Sequence, residues 1–149
     1  MKPKEEFWNS NFPKNTVEDS KFIPLLFKNF GINDIPLKSL EYKLIENLLS
    51  SDKGIVERES FFSIVDSFES FTSKRFLPSM IKLISNPFFF GRISTKDSEN
   101  LISSQKKNCA LIRFSSSVGD LTVSVFINKE ISHFRIFHQS GSSIYKPYK

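Results

Sequence analysis

The chain has 149 residues, and its hydrophobic fraction of 39% with 17 phenylalanines allows one domain or a compact pair with a substantial core. A single cysteine excludes an intramolecular disulfide, and no run of about 18 apolar residues predicts a transmembrane helix. The net charge of +5 lies entirely in residues 88–149, which hold nine basic and four acidic residues and therefore suit an anionic ligand.

Neither nucleic acid nor a membrane is the expected partner. The basic residues form no run, and the aromatic residues recur at core spacing rather than on a basic face. The N-terminal residues lack an apolar segment of signal-peptide type, and one cysteine is compatible with a reducing compartment. We therefore expect a cytoplasmic protein.

The first part of the chain is predicted to be all helical. Apolar residues recur at helical spacing over residues 5–12, 18–30, 37–49, 59–71 and 76–84. Because Pro24 is tolerated only in the first turn of a helix, the second helix should begin near Lys21. The third helix should bury a leucine stripe that begins at Leu37. Such stripes are typical of a core rather than of a cofactor site, and we expect no cofactor.

The segment between the third and fourth predicted helices has the outline of a calcium loop. With Gly54 as the sixth position of an EF-hand loop, Leu49 and Ser60 occupy the first and twelfth positions. Both positions need carboxylates in a working loop. We therefore expect an EF-hand-like segment that binds no metal.

The second part combines a helix with strands, so the chain is predicted to be α+β, with one part over 1–86 and another over 87–149. Ser94 and Asp97 form a capping box, and the helix should run to about Ser104. An antiparallel meander should follow, with strands over 109–115, 121–127 and 131–138 and a further short strand over 144–148.

Arg113 interrupts the first of these strands, which is otherwise apolar. A guanidinium in such a place must be paired or must await an anion, because an unpaired buried charge is costly. Three serines follow at positions 115–117, where hydroxyls and backbone N–H groups can surround an anion in a turn. Two interpretations stay open: a phosphate socket, or an arginine paired with an internal carboxylate beside an ordinary loop.

The third strand adds two more donors. Its period of two places His133 and Arg135 on one face and Phe134 and Ile136 on the other. At a rise of ~3.3 Å per residue, the two donors lie roughly 6–7 Å apart and can meet the same anion.

These motifs together resemble the Src-homology-2 (SH2) domain, a phosphotyrosine-binding module, from about Pro87 to the end of the chain. The resemblance rests on Phe-Gly-Arg-Ile-Ser at residues 90–94, Leu-Ile-Arg-Phe-Ser-Ser-Ser at 111–117 and Ser-His-Phe-Arg-Ile at 132–136. The second motif is closest to that of STAT proteins. By this resemblance, Arg113 forks the phosphate, and Ser115 and Ser117 cap it, with Ser116 between them in the same loop.

The same resemblance implies roles for the neighbouring elements. His133 and Arg135 would flank the phosphotyrosine ring and phosphate, and Thr122 would face the same pocket. The family's basic residue after the Gly-x-Ile-Ser turn falls on Thr95 here. Lys96 is basic but one position later, so the contribution of the helix to the pocket departs from the family pattern.

The helical part also has a relative. Its spacing resembles the degenerate EF-hand segment that precedes the SH2 domain in Cbl proteins, and STAT proteins carry a helical linker in the same place. After the third long strand, residues 140–149 show no amphipathic helical pattern. We therefore expect an SH2-like domain without a clear second helix, either reduced or truncated at its C-terminus.

The resemblance implies a non-catalytic adaptor module that binds tyrosine-phosphorylated proteins in signalling, and it leaves the oligomeric state open. One alternative is a structural or oligomerising domain with an inactive pocket. Another is a fragment of a Cbl-like ubiquitin ligase or a STAT-like transcription factor. A catalytic domain using Cys109, His133 and His138 is a weaker alternative, because no nucleophile turn or orienting acid is recognisable.

Overall fold

The computed structural model describes residues 2–68, 70–115, 120–138 and 145–148, with the backbone alone for 137–138 and 145–148. The first part contains five helices and two short strands: α1 (Pro3–Asn11), β1 (Thr16–Glu18), α2 (Asp19–Asn29), α3 (Leu40–Leu49), β2 (Ile55–Glu57), α4 (Arg58–Val65) and α5 (Phe76–Ile84). The second part contains α6 (Thr95–Ser104), β3 (Cys109–Phe114), β4 (Leu121–Ile127), β5 (Glu130–His138) and β6 (Tyr145–Tyr148).

The prediction that the first part is all helical is wrong, because it contains two short strands, β1 and β2, which pair antiparallel. Each strand lies between two helices, which gives two helix–strand–helix units, α1-β1-α2 and α3-β2-α4. Val17 on β1 lies opposite Val56 on β2. Gly54 precedes β2 with a left-handed φ of +74°, which is the sharp turn that glycine permits. Three-residue strands are too short to show a period of two, so only their pairing defines them.

The predicted starts of two helices also need correction. α2 begins at Asp19 and contains Pro24 in its sixth position, beyond the first turn. α3 begins at Leu40 rather than Leu37, because the side chain of Ser39 caps it by accepting a hydrogen bond from the backbone N–H of Tyr42. Leu37 and Leu40 are exposed, and the buried face of α3 consists of Tyr42, Ile45 and Leu49.

Aromatic side chains form the centre of the helical core. Phe22 on α2 and Phe61 on α4 meet edge to face, with ring centroids 4.9 Å apart. Trp8 on α1 closes one side of this pair and donates its indole N–H to the carbonyl of Lys14 at 2.9 Å. The core therefore ties both helix–strand–helix units together through α1.

The second part is a four-stranded antiparallel sheet in the order β3-β4-β5-β6. Asn128 and Lys129 both have positive φ, of 52° and 67°, which is the primed two-residue turn that matches the twist of a hairpin. α6 packs on one face of β3 and β4. Within 120–138 and 145–148, no second helix follows the meander.

The sheet joins the helical core through Phe114 at the end of β3. Its ring lies 6.4 Å from that of Phe68 and 5.3 Å from that of Phe89. Residues 88–90 form an isolated parallel bridge with β3, since Ile112 donates its N–H to the carbonyl of Phe88 at 2.7 Å. Phe88 itself is exposed, as is Phe90, so of these three phenylalanines Phe89 is the one that reaches Phe114.

No helix among the described residues is long and apolar enough to cross a membrane.

Candidate anion-binding site

The register of the sheet places four of the predicted site residues in two neighbouring rows. Arg113, Thr122 and Arg135 face one another across β3, β4 and β5. In the next row, Ser124 lies opposite His133. Because directly paired residues of an antiparallel sheet project from the same face, all five side chains lie on the face that α6 covers.

Arg113 is the central residue of this face, and it is only 6% exposed. Its Nε–H donates to the hydroxyl of Ser124 at 3.3 Å, and an Nη2–H donates to the hydroxyl of Thr95 at 3.1 Å. Within the described ranges these are its only hydrogen bonds, which account for two of the five N–H donors of a guanidinium.

No ion pair joins Arg113 to a carboxylate in the part of the chain that the structure describes. Burial lowers the pKa of Arg113, and the more distant charge of Glu99 opposes this shift. An arginine nevertheless stays protonated in proteins. The described residues therefore surround a buried positive charge with neutral hydroxyls, and they do not supply the internal carboxylate of the alternative interpretation.

A chain of hydrogen bonds leads away from Arg113. The hydroxyl of Ser124 lies 2.8 Å from Nδ1 of His133, and Nε2 of His133 lies 3.0 Å from Oε2 of Glu99 on α6. Ser124 is fully buried at 0% exposure, while the side chains of His133 and Glu99 remain partly exposed. Thus α6 reaches the sheet through both Thr95 and Glu99.

Ser124 and Glu99 were not among the site residues predicted from the sequence. Alternation along β4 already placed Ser124 on the same face as Thr122. Glu99 lies one turn after Thr95 on α6, a spacing that puts two helical residues on one face. The alternation along β4 and the spacing on α6 could both be seen in the sequence. Neither shows which residue Ser124 or Glu99 contacts, because that depends on how α6 packs on the sheet.

The start of α6 places Thr95 rather than Lys96 beside Arg113. Ser94 caps α6 by accepting the N–H of Asp97 at 3.0 Å, as the capping box predicted. Thr95 is the first helical residue and the one that contacts Arg113. Lys96 is exposed in the same turn, and the described side chains show no contact between it and Arg113.

The serine loop is described only at its ends. The N–H of Ser115 donates to the carbonyl of Asp120 at 3.0 Å, which joins the two sides of the loop next to β3 and β4. Asp120 is buried and Ser115 is half-buried. Ser116 and Ser117 lie outside the described residues, so their predicted role stays a prediction.

The contacts of the described side chains do not favour nucleophilic catalysis. Cys109 donates its thiol hydrogen to the carbonyl of Ile102 at 3.3 Å. Ser124, His133 and Glu99 contain the residue types of a catalytic triad, but the hydroxyl that would attack is fully buried. The side chain of His138, the third residue of the catalytic alternative, lies outside the described residues.

Comparison with known protein families matches residues 88–148 to the SH2 domain. The matched range includes α6, the four-stranded sheet and every residue of the candidate site. The match supports an SH2 domain in this part of the chain and, at that general level, a phosphotyrosine-binding module of signal transduction.

Proposed function

With the SH2 domain match over residues 88–148 as the premise, we propose that this chain is a non-catalytic cytoplasmic adaptor module that binds tyrosine-phosphorylated proteins through Arg113. The observation that carries the proposal is the buried guanidinium, 6% exposed, which has hydroxyl partners but no carboxylate among the described residues. A buried charge without a counterion is costly, and a bound anion would offset that cost.

The chemistry of the face suits a phosphate. A phosphotyrosine brings about −1.5 to −2 charges and three acceptor oxygens. Arginine binds two such oxygens with parallel N–H groups, and Ser124 and Thr95 leave three N–H donors of Arg113 for this purpose within the described structure. We assign the remaining oxygens to the loop of Ser115, Ser116 and Ser117.

We assign the rim of the pocket to residues on β4, β5 and α6. Arg135 and Thr122 stand in the row of Arg113, and His133 stands in the adjacent row. We assign Arg135 and His133 to the sides of the phosphotyrosine ring and phosphate, where the guanidinium of Arg135 would offer cation–π contact. Lys96 is exposed in the first turn of α6 and adds positive potential near the entrance.

We propose that the helical part is an EF-hand-like brace without bound calcium. With Gly54 as sixth position, Val56 on β2 is the eighth position of its loop, and it pairs with Val17 of the other unit. The packing of Phe114 against Phe68 is consistent with a bracing role for the helical part, because it joins the C-terminal end of β3 to the helical core.

The proposal is tested by calorimetric titration with a degenerate phosphotyrosyl peptide library, its unphosphorylated twin and a phosphoseryl version. The phosphotyrosyl peptides should bind and the other two should not. Arg113→Ala should remove most of the affinity, whereas Arg75→Ala should not, because Arg75 is an equally charged but exposed residue at the start of α5.

Three results would overturn the proposal. Equal affinity for phosphorylated and unphosphorylated peptides would favour a structural or oligomerising domain with an inactive pocket. Binding by a folded Arg113→Ala variant within a factor of about two of the wild type, a few tenths of a kcal/mol, would show that Arg113 is not the phosphate ligand. Release of inorganic phosphate from the peptide would contradict the assignment as a non-catalytic module.

A further inference from the structure

We propose that Glu99 is a positioning residue that orients the guanidinium of Arg113 through His133 and Ser124. This inference rests on the proposed function, because it assigns to the hydrogen-bond chain the task of presenting Arg113 to the phosphate. Its basis is a continuous series of three contacts: Arg113 Nε to Ser124 Oγ at 3.3 Å, Ser124 Oγ to His133 Nδ1 at 2.8 Å, and His133 Nε2 to Glu99 Oε2 at 3.0 Å.

The position of each hydrogen in this chain of hydrogen bonds follows from which groups can donate. Arg113 can only donate, so Ser124 accepts from its Nε–H. The single hydrogen of the Ser124 hydroxyl then points to Nδ1 of His133, which must be an unprotonated acceptor. Nε2 therefore carries the hydrogen, and it donates to the carboxylate of Glu99.

The opposite arrangement leaves Ser124 unsatisfied. If Nδ1 of His133 carried a hydrogen, Ser124 would receive two donors, one from His133 and one from Arg113. Its own hydrogen would then need a third partner, and within the described ranges the Ser124 hydroxyl has only these two contacts. Since Ser124 is fully buried, water does not replace that partner without opening the site. Glu99 thus fixes the tautomer that lets Ser124 accept from Arg113.

Two residues of α6 act on the guanidinium, one directly and one through the hydrogen-bond chain, and both act on its Nε–Nη2 side. Thr95 accepts from Nη2 directly, and Glu99, one helical turn later, acts on Nε through the chain. Holding both Nε and Nη2 fixes the plane of the guanidinium. Among the described residues, no hydrogen bond is made by Nη1. Without this chain of hydrogen bonds, Arg113 keeps only its hydrogen bond to Thr95 among the described residues, and its guanidinium can rotate. Phosphate binding would then be weaker, because the guanidinium must be ordered when the phosphate binds.

Two substitutions at Glu99 separate positioning from simple charge. Glu99→Gln removes the negative charge but keeps an oxygen that accepts from His133, so phosphotyrosyl peptide affinity should stay within about twofold of the wild type. Glu99→Leu removes the acceptor and should weaken binding about 5- to 10-fold, the range of a partly lost charge-assisted hydrogen bond. Asn100→Leu, an exposed polar-to-leucine change on the same helix, should have no effect.

The opposite pattern would overturn the inference. If Glu99 acts only as a like charge that repels the phosphate, both substitutions should strengthen binding. If Glu99→Leu binds as well as the wild type, the chain does not position Arg113. A thermal melt of each variant accompanies the titration. If Asn100→Leu loses as much stability and affinity as Glu99→Leu, the effect comes from a general disturbance of α6 and not from the chain of hydrogen bonds.

A double-mutant cycle tests whether the residues act as one chain. Ser124→Ala removes the acceptor for Arg113, so adding Glu99→Leu to it should cost no further affinity. Additive losses would mean that Glu99 acts by a route that does not pass through Ser124, and the inference would be wrong.

Nuclear magnetic resonance of the unliganded wild-type protein tests the inference without any variant or peptide. At mildly alkaline pH, nitrogen shifts of His133 should show an acceptor Nδ1 and a protonated Nε2, and the Nε–H of Arg113 should exchange slowly with water. The reversed tautomer would overturn the inference. If the wild type fails to bind phosphotyrosyl peptides, the proposed function fails. If it binds, but Glu99→Leu binds equally well, only the inference fails.

Discussion

Replacing Arg113 by methionine should abolish phosphotyrosyl peptide binding and slightly stabilise the unliganded protein. Burial of an ion costs several kcal/mol, no described carboxylate forms an ion pair with Arg113, and the charge of Glu99 offsets only part of that cost. The two hydrogen bonds to Ser124 and Thr95 offset about 1.5–3 kcal/mol each. The guanidinium therefore sits close to a balance in the absence of an anion.

Methionine changes this balance in a predictable direction. A flexible apolar side chain of similar length gains about 1.5–3 kcal/mol on burial. Thr95 is exposed and can bond to water instead, and Ser124 keeps its bond to His133, so neither hydroxyl is left without a partner. We expect a net gain of about 1 kcal/mol, which corresponds to roughly 2–4 °C in melting temperature for a chain of this length.

The assay is thermal denaturation followed by circular dichroism, in a buffer without phosphate or sulfate. Peptide at about 100 times its dissociation constant should stabilise the wild type by about 2.7 kcal/mol and leave Arg113→Met unchanged. Arg75→Met serves as the control for the loss of one positive charge at an exposed position. A fall of more than about 4 °C in the Arg113→Met variant, over 1 kcal/mol, would refute the reasoning, because it would mean that the guanidinium is a net source of stability.

Three further predictions concern the helical part and its junction with the sheet. Calcium titration should give no saturable heat at micromolar concentrations, because Leu49 and Ser60 stand where the first and twelfth ligands are needed; heat removed by a chelator would contradict this. Phe114→Ala should lower the free energy of unfolding by about 2–4 kcal/mol through its lost contact with Phe68, and the wild type should melt in one transition in calorimetry, whereas two would contradict the coupling. Burial raises the pKa of Tyr42 above its usual 10.0, so stability should fall as pH rises above about 10, and urea titrations of Tyr42→Phe should show a smaller fall; an equal fall would mean that Tyr42 is not its source.

Local signals in the sequence were sufficient for the elements whose own residues specify them. The predicted bounds of α5 and β4 agree with the structure, and those of β3 and β5 agree to within one residue. The reason is that an apolar period or alternation, together with a cap such as Ser94, acts within a few residues of itself. The same signals identified Arg113 as the residue that interrupts an apolar strand.

Tertiary structure decided the features whose partners are distant in the chain. The strands β1 and β2 exist because each provides the backbone hydrogen-bond partners of the other. A three-residue segment does not reveal such a pairing from its own sequence. His133 and Glu99 are 34 residues apart, and only the docking of α6 on the sheet brings them within 3.0 Å. The sequence left open whether Arg113 has an internal carboxylate. Among the described residues, packing surrounds it with the hydroxyls of Ser124 and Thr95 instead, because the charge of a buried group is compensated by whichever groups the fold places beside it.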